Sequence, residues 1–155
     1  MNILSRNDIA MTLSLAYVGV TKGWVSVEEV LREISPDELG TLSNDLVASL
    51  YSSAGESKDA FLSIVAKIAN IDDDTIHTGL HIWSIAYLGD IMQSYKTITE
   101  KLEAVADVWV MFNCPLAWNE FVYYMPAAGG MKTGMDAMYK KFVEFMKNEK
   151  LKLHG

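Results

Sequence analysis

The sequence predicts an all-α protein, and three observations carry that prediction. Ile98, Leu102, Val105, Trp109 and Phe112 are spaced 4, 3, 4 and 3 residues apart, which puts all five on one stripe of a helix with 3.6 residues per turn. Pairs of Ser or Thr with Glu three residues on, the signature of a helix start, occur at Ser26/Glu29, Ser35/Glu38 and Thr97/Glu100. Alternation of apolar and polar residues with period 2 is absent except for a debatable strand over Val108 to Phe112. The expectation is one helical domain over residues 1–155, an irregular bundle or short superhelix of seven to eight helices. Its core spans 7–126, and a carboxy-terminal helix covers about 135–150.

Taken in order, Ile9, Leu13, Ala16, Tyr17 and Val20 form the stripe of a first helix, capped by Ser5 or Asn7 and closed by Gly23. Trp24 then acts as a plug, and the Ser26/Glu29 box starts a short helix with Val27, Val30, Leu31 and Ile34. A third helix starts at Ser35, with Pro36 in the first turn where its missing N–H costs nothing, and runs through Leu39, Leu42, Leu46, Val47 and Leu50. Ser52 to Ser57, polar and containing Gly55, reads as a loop. Phe61, Ile64, Val65 and Ile68 give a fourth helix.

The stretch from Thr75 to Pro126 is the centre of the chain. Asp72, Asp73 and Asp74 precede a helix carrying Trp83, Tyr87, Leu88, Ile91, Met92 and Tyr95, and negative charge there suits the positive end of the helix dipole. Apolar residues surround most of that helix, so neighbours should cover it on several sides, with Gly79 and Gly89 marking close crossings. The Thr97/Glu100 box starts the next helix. Pro115 starts another, with Leu116, Trp118, Phe121 and Val122. Pro126, Gly129, Gly130 and Gly134 bracket a loop before a last helix whose apolar side holds Met135, Met138, Tyr139, Phe142, Phe145 and Met146.

Composition narrows the function classes. The net charge of -7 is uneven: residues 1–130 carry 7 Lys/Arg against 17 Asp/Glu, and residues 131–155 carry 6 Lys against 3 acids. A body of charge -10 repels nucleic acid and suits a basic protein partner. No apolar run reaches the roughly 20 residues of a membrane span, so no membrane role is expected. A single cysteine, Cys114, and an amino terminus without a secretory pattern point to the reducing cytoplasm.

The chemical motifs are weak. His77 and His81 lie four apart on one helical face, with Asp74 one turn earlier, and such a set can bind a divalent metal. The zinc-protease glutamate is missing from H-T-G-L-H, so a cap with partly exposed histidines is the preferred reading and no cofactor or metal is expected. Cys114 lacks a base nearby in sequence and reads as a buried, inert thiol. No phosphate loop or nucleophile elbow is present, and paired carboxylates such as Glu28-Glu29 sit at helix starts.

Several segments together resemble a small bacterial family that carries a domain-of-unknown-function label. They are Lys22-Gly23-Trp24-Val25-Ser26 with Glu29 and Val30, then Trp83 with Ala86-Tyr87-Leu88, and Phe112, Pro115 and Phe121 to Pro126. The resemblance implies a helical fold and a place among the immunity-like proteins encoded near bacterial toxins, with no catalytic residues to carry over. Tyr123 stands where that family often has a charged residue before its Tyr-Met-Pro. The functional expectation is a non-catalytic interaction protein, monomer or homodimer, that binds a basic toxin. Its contact residues would be Glu28, Glu33, Asp72, Asp73, Asp74, Trp118 and Tyr123. The alternatives are a small metal-dependent enzyme built on His77, His81 and the aspartates, or a homodimeric structural subunit.

Overall fold

The structure, a computed structural model, describes residues 2–94, 96–122 and 131–154. Among these residues the fold is all-α: nine α-helices, one short 3-10 turn and no strand. The chain clusters into two compact units, residues 1–83 and 84–155. Each has its own way of holding together.

In the first unit, polar caps set the helix boundaries. α1 (Ile3–Arg6) is capped by the Asn2 side chain, which accepts from the Leu4 and Ser5 N–H groups. The Glu33 carboxylate accepts from the Asn2 backbone at 3.1 Å, from Asn2 Nδ2 and from Ser5 Oγ, and so ties α1 down while Leu4 is fully buried. The first helix expected from the sequence thus starts later than its stripe at Ile9, and a separate short helix precedes it. Asp8 adopts a left-handed φ of 58°, Met11 bridges Ile34 in parallel, and α2 (Leu13–Lys22) begins afresh at Thr12. Thr12 Oγ1 accepts from Leu15 N–H, Glu38 Oε1 accepts from Leu13 N–H at 2.9 Å, and Gly23 closes the helix with φ 78°.

Glu38 explains the next departure. The box at Ser26 forms as expected and starts α3 (Val27–Glu33). At Ser35 it does not, because Glu38 reaches to α2 instead, and α4 (Pro36–Gly40) ends after five residues. α5 (Asn44–Glu56) starts on the Ser43 cap and runs through the stretch expected to be a loop. Buried Ser53 fits there because its hydroxyl donates to Leu50 C=O at 2.8 Å. Ser57 ends α5 and caps α6 (Lys58–Ala69), whose Phe61 and Val65 are fully buried.

α7 (Asp73–Gln93) begins in the first unit and crosses α2 closely. A Cβ on Gly79 would sit 2.8 Å from Val18 Cγ2, and one on Gly19 would sit 2.3 Å from Trp83 Cζ2. Only glycine permits these approaches. Trp83 is fully buried, donates from Nε1 to Leu15 C=O at 2.9 Å, and meets the half-buried Trp24 ring at 5.6 Å.

In the second unit an aromatic core replaces the caps as the main support. α8 (Ile98–Met111), begun at Thr97 as expected, contributes buried Leu102, Val105 and Val108, so Val108 to Phe112 is not a strand. α9 (Met131–His154) is longer than expected at both ends and contributes Met135, Phe142 and Met146. Between them, Pro115 starts only the 3-10 turn Leu116–Trp118. Asn113 and Cys114 are both left-handed, Cys114 N–H donates back to Trp109 C=O at 2.8 Å, and Trp109 Nε1 donates to Pro115 C=O at 3.1 Å. The chain therefore folds back on α8, and Trp118 and Phe121 turn inward towards Phe142 and Phe145. Lys101 Nζ adds a polar tie, donating to Met92 C=O at the end of α7 and to the Tyr139 hydroxyl. A cation at a helix carboxyl end is favoured by the dipole.

Candidate functional site

The acidic residues at the start of α7 face a groove of about 400 Å³ in the first unit. Thr12, Ser14 and Leu15 of the α2 start form one wall, and Asp72, Asp74, Thr75, Thr78, Gly79 and Ile82 form the other. The close α2/α7 crossing at Gly79 and Val18 fixes the two walls, because helices this near cannot slide without collision. Glu38, anchored on Leu13 N–H, adds a third carboxylate at the same end of α2.

Asp72 is fixed as a cap. Its Oδ1 accepts from Thr75 Oγ1 at 2.7 Å and from Thr75 N–H at 2.8 Å. Those hydrogen bonds, the hydroxyl's first, hold its carboxyl below the ordinary carboxylate range even though it is exposed. Asp73 and Asp74 are also exposed, but only Asp72 and Asp74 line the groove. The surface it offers is hydroxyls and carboxylates over a short apolar floor, which suits a cationic group arriving from solvent.

The remaining residues singled out from the sequence are scattered. Glu28 is exposed in the first turn of α3, a helix that packs on α5. Glu33 is half-buried and engaged with α1, so it works as a structural anchor. Trp118 is 2% exposed and lies in the core of the second unit, so it offers no contact surface. Tyr123 falls outside the described residues, as do Tyr95, Tyr124, Met125, Pro126, Gly129 and Gly130, while Gly134 lies within α9.

His77 and His81 are exposed on α7 and do not line the groove. Among the described residues no group of three or more His, Cys, Asp or Glu side chains could hold a metal ion. Cys114, read from the sequence as buried, is exposed in the left-handed turn that follows α8. A second groove, of about 520 Å³, runs between α5 and α6 over Ser49, Ser52, Ser53, Ala60 and Ser63 and carries one acid, Glu56.

A bacterial family profile matches residues 1–150, nearly the whole chain. The protein belongs to the DUF2247 family. That family is described as an uncharacterised protein conserved in bacteria, and the match agrees with the bacterial domain of unknown function that the sequence motifs resemble. No curated protein and no solved structure matches the chain.

Family membership names no chemistry, so the site rests on its residues. Sequence reasoning found the aspartates but missed Thr12, Ser14, Thr75, Thr78 and Glu38. No local signal gave them: Thr12 and Ser14 fell inside the first helix expected from Ser5 or Asn7, and their place beside Thr75 and Thr78 depends on the α2/α7 crossing. Among the described residues no helix is long and apolar enough to cross a membrane.

Proposed function

We propose that this protein is a non-catalytic interaction protein whose amino-terminal unit docks a basic protein partner, and that the partner is a toxin neutralised by occlusion. The observation that carries the reading is the division of charge between the two units. Residues 1–83 hold 5 Lys/Arg against 12 Asp/Glu, a net -7, while residues 84–155 hold 8 Lys against 8 acids, a net 0. All of the chain's net charge therefore belongs to one unit, and Asp72 and Asp74 present part of it at an open groove, with exposed Asp73 between them in sequence.

A concentrated field of one sign speeds the diffusional approach of a partner of opposite sign and penalises wrong partners. The bound face would exclude the toxin's own target without any bond being made or broken. The toxin assignment rests on the resemblance to immunity-like proteins, and the acidic groove supports the broader statement of a basic partner. Co-expression with the basic product of a neighbouring reading frame tests both. Expected are rescue of growth and a complex that survives purification; a toxic product left fully active, or no complex at low salt, refutes the proposal.

A further inference from the structure

We infer that His77 and His81 form a solvent-open binding site for a late first-row divalent metal ion (nickel, copper or zinc), with water completing its coordination. The two residues lie four apart within α7, so their side chains stand one above the other on one face, with Cβ atoms about 5–6 Å apart. Both are exposed. A histidine pair at this spacing holds zinc in the helical metalloprotease motif, where a glutamate between the two supplies the chemistry. Without that glutamate the pair here binds and does not catalyse. Imidazole nitrogen selects nickel, copper and zinc, whereas magnesium and calcium take oxygen ligands.

The stretch of helix that carries the pair is fixed from behind. Gly79, midway between the histidines in sequence, lies on the opposite side of α7, where a Cβ would sit 2.8 Å from Val18 Cγ2 of α2. Trp83, two residues past His81, is fully buried and donates from Nε1 to Leu15 C=O at 2.9 Å. With the backbone held in this way, only the torsions of the two side chains must be ordered when an ion binds. An imidazole with one ring nitrogen in a hydrogen bond still offers the other to a metal, and such a bond orients the ring.

Charge favours the ion as well. α7 carries Asp73, Asp74 and Asp90 and neither Lys nor Arg, and exposed Asp73 lies one turn before His77. A field of this sign raises the local concentration of cations. Among the described residues no group of three or more His, Cys, Asp or Glu could hold the ion, so two protein ligands are what the site offers. Such a site is weaker than a closed structural zinc site, and its ion exchanges with solvent. Neither histidine lines the acidic groove, and the site does not depend on a basic partner.

Calorimetric titration of the full chain with nickel(II) chloride in a non-coordinating buffer tests the inference. Expected is saturable binding of one ion per chain, with a Tm that rises as nickel is added. His77→Gln and His81→Gln, both at exposed positions where substitution leaves the fold intact, should each weaken binding by about tenfold or more and remove the rise in Tm. His154→Gln and Cys114→Ser should bind like the wild type, and magnesium chloride should not displace the nickel. No saturable binding up to millimolar nickel overturns the inference. So does a His77 or His81 variant that binds like the wild type, or binding lost instead with His154→Gln or Cys114→Ser. Magnesium competing on equal terms also overturns it, because the ligands are then the oxygens of the aspartates.

Discussion

The two units of this protein keep their helices in place by different means. Residues 1–83 depend on side chains that finish helix ends: Asn2 and Glu33 on α1, Thr12 and Glu38 on α2, Ser43 on α5, Ser57 on α6 and Asp72 on α7. Residues 84–155 depend on rings: Trp118 meets Phe112, Phe121 and Phe145, and Phe121 meets Phe142 and Phe145, at centroid distances of 5.0 to 6.4 Å. The first unit has many short helices and therefore many ends, which cost free energy unless their N–H groups are satisfied. The second has few ends and long helices, so apolar burial dominates. The difference also separates the charge, because the acids that finish helix starts give the first unit its field.

Removing one ring should therefore do most damage. Trp118→Ala empties the centre of the second unit's core and should cost about 3–5 kcal/mol of stability by chemical denaturation. Gly19→Ala strikes the first unit where it is tightest, against the rigid indole of Trp83, and should cost about 1–3 kcal/mol in the same assay. Thr12→Ala removes a single cap and should cost only about 1 kcal/mol. A Trp118→Ala loss no larger than that of Thr12→Ala would break the contrast between the units.

The smallest effects are those of pH, and they run in opposite directions. Asp72 has its carboxyl pKa lowered in the folded protein, so its contribution is present above the ordinary carboxylate range and is lost as pH falls through the lowered value. Tyr87 has its phenol pushed above 10.0 by burial and then by Asp90, so its contribution is complete below pH 10 and is lost as pH rises through the raised value. Thermal unfolding of Asp72→Asn and Tyr87→Phe beside the wild type should flatten the acid side for the first and the alkaline side for the second.

How much of this was legible in the sequence follows from the same contrast. Apolar periodicity located α6, α8 and α9, because a buried stripe leaves its period in the residues, while α7 was legible from apolar residues on most of its circumference. It failed at the ends. The late start of α2 goes with left-handed Asp8 and the Met11–Ile34 bridge, and the missing box at Ser35 goes with Glu38 accepting from Leu13 N–H instead. Both are contacts between residues far apart in sequence, which local spacing does not encode. The same holds for Cys114, whose exposure comes from a turn bonded back to Trp109, and for Trp118, whose burial needs Phe121, Phe142 and Phe145 around it. The three aspartates were visible, while the hydroxyl wall opposite them required the α2/α7 crossing.

The most direct test of the acidic unit as a docking surface is the association rate with the basic product of a neighbouring gene, followed across ionic strength. Asp72→Asn, Asp73→Asn and Asp74→Asn are combined in one variant, in which Asn at position 72 still caps α7. Electrostatic steering raises association by about tenfold or more over an unsteered encounter. The wild type should therefore bind fast at low salt and slow steeply as salt rises, and the triple variant should start slower and depend less on salt. Equal rates for the two proteins, with equal salt dependence, would contradict the account.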